Sequence, residues 1–459
     1  MLATIAIVGR PNVGKSTLFN RMIGERRAIV HDRPGVTRDR NYGEIELWER
    51  RCILVDTGGL EPESGDDLFE AMRGQAQAAM AEADVLIFVL DRKMGITPAD
   101  EMAAQILRQA ERPVFCVVNK IDDPRHEDEL GEFWQLGFDE LYPVSAEHGR
   151  GLYSLEAAIY EALPPADAEA SDTSDAVVDE DGQPVDYVMP TETRIAIVGR
   201  PNIGKSTLAN RMCGQDRHLV HDAPGTTMDA VDSTFESDGR DYRIVDTAGI
   251  RRRARISDQV EGFAVSRAIR SIERCHVTLL MIDGTQPITD QDARLARLVI
   301  DRGRAVVVLV NRWDLTRDLP ERNARKVEEE IERKLPHLSW APVLYISALT
   351  GKGVGRILSE VNAAFAAFNT HIKTGELNRF LEAALERNSP PQVHHRPVRI
   401  HYVTQARVRP PTFVFFTNNP EGIKAPYQRY LSNRLREAYG FDGTPLRLQF
   451  RMKRKLAPR

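Results

Sequence analysis

Short runs of consecutive apolar residues, at 3–8, 53–55, 85–90 and 114–118, alternate along the chain with stretches of helical spacing, after Lys15 and across 99–109. Runs of this length read as buried strands, and strands that alternate with helices signal βαβ units on a mainly parallel sheet with helices on both faces. The same order returns in the second part of the chain, where 305–310 is one of the apolar runs. From 368 the pattern changes to a helix over 375–386, strands over 398–404 and 412–417, a helix over 425–439 and a strand over 445–450. That α-β-β-α-β order is too short for a third copy.

The recurrence extends to motifs. GRPNVGKSTLFNRM at 9–22 is almost repeated as GRPNIGKSTLANRM at 199–212, an offset of 190 residues. The same offset carries HDRPGVTRD (31–39) onto HDAPGTTMD (221–229) and DTGG (56–59) onto DTAG (246–249). Farther along, VNKID (118–122) corresponds to VNRWD (310–314), and SAE (145–147) to SAL (347–349). Five motifs in one order, twice, predict two α/β domains of one design.

A phosphate chain needs several converging N–H donors with no side chain in the way, and GxxxxGKS between a strand and a helix N-terminus supplies them. In the first copy the loop is Gly9, Arg10, Pro11, Asn12, Val13, Gly14, Lys15, Ser16 and Thr17. In the second it is Gly199, Arg200, Pro201, Asn202, Ile203, Gly204, Lys205, Ser206 and Thr207. Lys15 and Lys205 are placed to reach the β- and γ-phosphates, and Ser16 and Ser206 to ligate Mg²⁺. Asp56 and Asp246 follow apolar strands, which puts a carboxylate near the metal. After them come Thr57, Gly58, Gly59 and Leu60, and Thr247, Ala248, Gly249 and Ile250. Gly59 and Gly249 can offer a backbone N–H to the γ-phosphate, and hydrolysis removes that contact. Thr37 and Thr227 lie in polar loops, where a hydroxyl and carbonyl can close over Mg²⁺ and the γ-phosphate.

The choice of guanine rests on Asn119, Lys120, Ile121 and Asp122. An acceptor-only carboxylate can take two hydrogen bonds from guanine N1–H and its exocyclic amino group, which adenine does not offer. Asn119 would brace the loop, the stem of Lys120 would cover the base, and the N–H of Ala146, after Ser145, could donate to guanine O6. Asn311, Asp314, Ser347 and Ala348 repeat these positions, with Arg312 in place of the lysine and Trp313 after it. An arginine still packs across a purine. Guanine specificity with altered affinity is expected.

Many GTPases orient the attacking water with a glutamine after DxxG. Here those positions are Leu60 and Ile250, which cannot hydrogen-bond water. Two readings stay open: a nucleotide-dependent scaffold without useful turnover, or compensation by a cation where an arginine finger would act. Asn12 and Asn202 suit the second, as amide oxygens able to ligate K⁺, or else they only shape the loop. The residues assigned to catalysis are Lys15, Thr37, Gly59, Lys205, Thr227 and Gly249. Arg251, Arg252, Arg253 and Arg255 crowd the segment after the second DxxG, as a solvated face or as contacts to RNA phosphates or the C-terminal domain.

Charge changes the picture at two places. The stretch 166–186 holds eight Asp or Glu and no Lys or Arg, too polar to offset its ordering entropy, and reads as a flexible linker. From 368 onward there are 17 Lys or Arg against 6 Asp or Glu, although the whole chain carries −5. The predicted domains are therefore 1–165, a linker at 166–190, 191–367, and a basic domain at 368–459. Cys52, Cys116, Cys213 and Cys275 are scattered singly, without a metal or disulfide spacing, and read as buried small side chains. His394 and His395 have no further ligands nearby and read as surface residues. No apolar run approaches the ~20 residues of a membrane helix, and no secretion signal opens the chain. A cytoplasmic, monomeric protein with no membrane partner is expected.

The two GRPNxGKS domains, the acidic linker and the tail segments LNRFLEAALERNSPP, RPPTFVFFTNNP and YQRYLSNRLREAYGFDGTPLRLQFR together resemble the EngA (Der) family of bacterial double GTPases. That resemblance implies two tandem P-loop GTPase domains followed by a small α+β KH-like domain. It also implies GTP and GDP as ligands, GTP hydrolysis with potassium stimulation, and action on the large (50S) ribosomal subunit and its rRNA during maturation. The tail lacks the GxxG loop by which KH modules clamp a nucleic-acid backbone. RNA contact is therefore expected from other basic residues: Arg434, Arg436, Arg451, Lys453, Arg454 and Lys455.

Overall fold

The computed structural model of the chain describes residues 2–26, 42–48, 50–57, 65–164, 190–214, 232–247, 261–319, 321–393 and 396–452. The expectations placed on Thr37, Gly58, Gly59, Leu60, Thr227, Ala248, Gly249, Ile250, the arginines at 251–255, the acidic stretch, His394, His395, Lys453, Arg454 and Lys455 fall outside these residues. The chain divides into two compact units, one built on the first sheet, the other on the second sheet and the C-terminal layer.

The first unit is a six-stranded sheet in the order β2-β3-β1-β4-β5-β6. Its strands are β1 (Ala3–Val8), β2 (Tyr42–Leu47), β3 (Arg50–Asp56), β4 (Val85–Asp91), β5 (Val114–Asn119) and β6 (Leu141–Pro143). Every pairing is parallel except β2 with β3. Every residue of β1 and β4 is buried, whereas β2 alternates between buried and half-buried positions. The continuous apolar runs thus become central strands covered on both faces, and the alternating one an edge strand. Among the described residues the helices that follow these strands are α1 (Lys15–Arg26), α2 (Gly65–Glu82), α3 (Pro98–Leu107) and α4 (Leu152–Ala162).

The second unit repeats the sheet as β12-β11-β10-β7-β9-β8, the same order read from its other edge. Its strands are β7 (Glu192–Gly199), β8 (Ser233–Ser237), β9 (Arg240–Ile244), β10 (Val277–Asp283), β11 (Ala305–Asn311) and β12 (Val343–Tyr345). Its helices are α5 (Lys205–Gly214), α7 (Asp290–Asp301), α8 (Ala324–Lys334) and α9 (Ile357–Phe368), whereas α6 (Glu261–Arg274) is divided, 261–270 falling in the first unit and 271–274 in the second. Both copies are doubly wound and mainly parallel, as the motif pattern predicts. In such sheets ligands bind beyond the carboxyl ends of the strands at the switch point, here the end of β1 and of β7.

After a short antiparallel pair, β13 (Gln392–Val393) with β14 (Arg396–Pro397), the tail forms a three-stranded sheet of β15 (Ile400–Arg407), β16 (Thr412–Thr417) and β17 (Arg447–Met452). Helices α10 (Thr374–Arg387) and α11 (Ala425–Tyr439) supply Leu377, Leu381, Leu431 and Leu435 to a core shared with Val403, Phe413 and Phe415. Within this unit the tail is joined to the second GTPase sheet main chain to main chain. Val306 donates its N–H to the Gly443 carbonyl at 2.7 Å, and Gly443 donates to the Trp340 carbonyl at 3.1 Å. Gly443 has φ +69°, and a Cβ there would stand 2.8 Å from that of Ala364, so the seam needs glycine.

The four cysteines are all free and buried. Burial pushes the Cys116 thiol up to about 12 and the Cys52 thiol up to about 11. Thiols so held are poor nucleophiles, in agreement with a packing role.

Candidate guanine-nucleotide sites

The loop after β1 is held open by bonds between side chains and backbone. Asn119, at the end of β5, donates Nδ2 to the Val13 carbonyl at 2.8 Å and accepts the Ala146 N–H on Oδ1 at 3.0 Å. One buried amide thereby links the phosphate loop, the base loop and the SAE turn. The loop packs so closely on this amide that a Cβ at Gly14, φ +97°, would fall 2.2 Å from Asn119 Nδ2. Lys15 donates Nζ to the carbonyls of Gly9 and Arg10 at 2.6 and 2.7 Å. Desolvation lowers its pKa to about 8, partly opposed by the attraction of Asp56, with Arg10 lowering it further. Buried among carbonyls, it is aimed where a phosphate chain would lie along the loop.

Ser16 donates Oγ to Asp56 Oδ2 at 2.7 Å. A hydroxyl and a carboxylate this close are hard oxygen donors of the kind Mg²⁺ accepts, so the pair fits the ion the motif implies. When bound, such an ion would supply positive charge beside the phosphates. Thr57 faces inward instead, donating Oγ1 to the Ile7 carbonyl at 2.7 Å.

At the base end, Lys120 has φ +68° and donates Nζ to Asp91 Oδ2 at 2.6 Å and to the Asn12 carbonyl at 3.0 Å. Its stem is thereby laid along the edge of the phosphate loop. Ile121 is buried and donates its N–H to the Val144 carbonyl at 3.1 Å. Asp122 accepts the Ser145 hydroxyl on Oδ1 at 2.8 Å and Lys93 Nζ on Oδ2 at 3.4 Å. The Ser145 bond is the main reason its pKa is lowered, with Lys93 adding to it. A carboxylate kept ionised suits an acceptor-only partner for guanine.

The second copy reproduces most of these bonds. Asn311 donates Nδ2 to the Ile203 carbonyl at 2.7 Å and accepts the Ala348 N–H at 2.8 Å. Lys205 donates to the carbonyls of Gly199 and Arg200 at 2.6 and 2.7 Å. Arg312, φ +61°, donates Nη1 to Asp283 Oδ2 at 2.8 Å and Nη2 to the Asn202 carbonyl at 2.6 Å, so its fork spans the two acceptors that Lys120 meets with one atom. Trp313 donates its N–H to the Ile346 carbonyl, as Ile121 does to Val144, and packs on Tyr345 at a ring distance of 4.4 Å. Asp246 differs from Asp56: it has φ +60°, lies past the end of β9, and accepts the Ser271 hydroxyl at 3.1 Å. Thr247 shares a hydrogen bond with Ser233, oxygen to oxygen, at 2.9 Å.

Motif reading missed the residues behind the motifs. Arg10, assigned to the nucleotide, turns its guanidinium to Asp100, with Nε at 3.1 and 2.9 Å from the two carboxylate oxygens. Asp100 also accepts the N–H and hydroxyl of Thr97, at 3.0 and 2.7 Å, and so closes a capping box at the start of α3. Arg200, Asp292 and Thr289 repeat the arrangement at α7. Asp91 and Asp283 are likewise duplicated anchors. The signal was available, because Asp91 and Asp283, Thr97 and Thr289, and Asp100 and Asp292 all recur at one offset of 192 residues. Of the described basic tail residues proposed for RNA, Arg434 is bonded to Glu437, Arg436 lies 4.7 Å over the Trp340 ring, and Arg451 is exposed.

A doubly wound sheet with a phosphate loop after its first strand, a lysine among the loop carbonyls and an ionised aspartate at the base end defines a guanine-nucleotide-binding P-loop GTPase, and this chain holds two. Residues 4–120 and 194–312 match the family model described as 50S ribosome-binding GTPase, and 371–451 match that of the C-terminal KH-domain-like of EngA bacterial GTPase enzymes. The chain is 45% identical over 452 residues to GTPase Der of Syntrophotalea carbinolica, covering 98% of this chain and 99% of that one. It is also 45% identical over 451 residues to GTPase Der of Moorella thermoacetica, with the same coverage. A solved structure of Era in complex with MgGDPNP and nucleotides 1506–1542 of 16S ribosomal RNA matches at 20% identity over 75% of this chain and 92% of that chain, with a TM-score of 0.30. The chain belongs to the GTPase Der (EngA) family. Among the described residues no helix is long and apolar enough to cross a membrane.

Proposed function

We propose that this GTPase acts as a switch in the assembly or maturation of the large (50S) ribosomal subunit, its nucleotide state gating its binding to the particle and its rRNA. The observation that carries the reading is the duplicated cradle. In both copies one asparagine ties the phosphate loop to the base loop and one lysine lies among the loop carbonyls. Two such sites are joined in one chain to a tail with a large excess of positive charge.

In this reading the residues of the two phosphate loops, the two DTxG segments, the two base loops and the two SAx turns bind GTP. Ser16, Thr37 and Asp56, and Ser206, Thr227 and Asp246, hold Mg²⁺ directly or through water. Lys15 and Lys205 draw charge from the transferring phosphoryl group, and Gly59 and Gly249 donate to the γ-phosphate that hydrolysis removes. Asn12 and Asn202 would offer amide oxygens to K⁺, whose charge would stand where an arginine finger acts, since Leu60 and Ile250 cannot hydrogen-bond the attacking water.

Co-sedimentation with purified ribosomal subunits in the presence of a non-hydrolysable GTP analogue, and separately of GDP, tests the switch. Stronger association with 50S material in one nucleotide state is expected, and equal or absent association refutes the gate. Phosphate release measured in KCl and in NaCl tests catalysis. Turnover that rises in KCl supports the cation, whereas negligible turnover in both would favour the scaffold reading.

A further inference from the structure

We propose that the outer face of the tail sheet is a stacking platform for unpaired RNA bases, built on Tyr402, Phe416 and Arg451. The inference deepens the ribosomal reading above and rests on it for the presence of RNA. The register fixes the face. Tyr402 pairs with Phe416, and Phe416 with Arg451; Thr404 pairs with Val414, and Val414 with Gln449. Alternate positions point to the other side, where Val403, Phe413 and Phe415 enter the core against α10 and α11. The sheet therefore does not need the outer aromatic residues for its core.

One end of this outer face is covered within its own unit: Arg447, in register with Thr412, donates Nη2 to the Asp301 carbonyl at 3.1 Å. At the other end the described residues reach solvent. Tyr402 is 36% exposed and Arg451 is exposed, while Phe416 is half-buried. The rings of Tyr402 and Phe416 lie 4.3 Å apart with only 14° between their planes. Arg451 leans to Gln449, Nη2 to Oε1 at 3.0 Å, and stands beside the pair. A two-ring stack open to solvent can be extended by a further flat ring, an adjacent guanidinium can meet a phosphate, and an amide can bond a base edge.

The occupant follows from charge and shape. The tail carries 17 Lys or Arg against 6 Asp or Glu, which favours a polyanion. A duplex keeps its bases inside, so only an unpaired segment can use the rings. Arg434 and Arg436, bonded to Glu437 and packed over Trp340, are occupied elsewhere, whereas Arg451 remains beside the stack.

The test uses the full chain, a fluorescent single-stranded RNA dodecamer of mixed sequence, and the matching duplex. Wild type is expected to prefer the single strand. Tyr402→Ala should weaken that binding by about tenfold or more, the usual size of a lost base–aromatic stack, and Tyr402→Trp should restore it. Arg451→Ala should lower the slope of log affinity against log salt by about one. GTP hydrolysis and thermal unfolding of the variants serve as folding controls. Equal binding of single strand and duplex, or unchanged binding by both Tyr402→Ala and Phe416→Leu, overturns the platform, as does loss of self-association instead of RNA binding. If the platform fails while nucleotide-dependent association with ribosomal subunits persists, only this inference falls. If wild type neither binds the dodecamer nor associates with subunits, the ribosomal reading falls as well.

Discussion

The two GTPase copies share most of their scaffolding bonds and differ around two of their carboxylates. In each, asparagine to phosphate loop, lysine to loop carbonyls, and arginine to the capping-box aspartate recur with nearly the same distances. Yet Asp56 lies at the end of a strand with Ser16 on its carboxylate, whereas Asp246 sits in a left-handed turn and takes Ser271. Asp122 is engaged by Lys93, while Thr285 stands at the matching place in the second copy and bonds Asp283. The difference teaches that the same motif residues can be held by one framework while the groups that meet their carboxylates change from copy to copy.

The largest effect expected is loss of one site at a time. Lys15→Ala and Lys205→Ala should each leave one equivalent of GDP bound in calorimetry, and two equivalents in either variant would end the comparison. Next in size, Asp100→Ala strands Arg10 in a nearly dry site. Removing one partner of a buried pair costs about 3–5 kcal/mol, and the pair here is 10% and 0% exposed. Urea unfolding should show that loss in the first unit, with weaker GDP binding in that copy alone; Asp292→Ala should mirror it in the second. A first unit that unfolds as wild type would demote the strut.

The pH response should follow Lys15. Its pKa is lowered to about 8, and a bound phosphate, favouring the charged ammonium, raises it again. Binding therefore takes up a proton where the free group has lost one. Affinity at the first site should be full below pH 8 and fall as pH rises above it, by roughly tenfold between pH 7 and 9. A flat profile by titration calorimetry on the Lys205→Ala background would contradict the burial argument. The smallest effect belongs to Lys93→Ala. Its side chain is 56% exposed, and such surface pairs contribute at most about 1 kcal/mol. Guanine must displace it from Asp122, so first-site affinity should rise by about two- to fivefold; weaker binding would mean that Lys93 assists the base instead.

Much of this was legible in the chain. The run at 85–90 becomes a fully buried central strand, and 425–439 becomes a helix with the bounds its spacing predicts. Its place inside the loop motif makes Arg10 a nucleotide contact by position, while its side chain leaves the loop for a helix 90 residues away. A motif records which residues neighbour a ligand along the chain, whereas a side chain's target depends on what the fold brings beside it. Charge alone makes Arg436 a candidate RNA contact, and the fold places it over Trp340, 96 positions earlier.

What the sequence determined by itself is the repeat, the α/β class and the guanine chemistry, because strand and helix periods and short loop motifs are local properties of the chain. The tertiary structure decided which charges are struts and which face solvent. It set Asp246 apart from Asp56, and it left Tyr402, Phe416 and Arg451 on one open sheet face, since only the pairing of distant strands places them side by side.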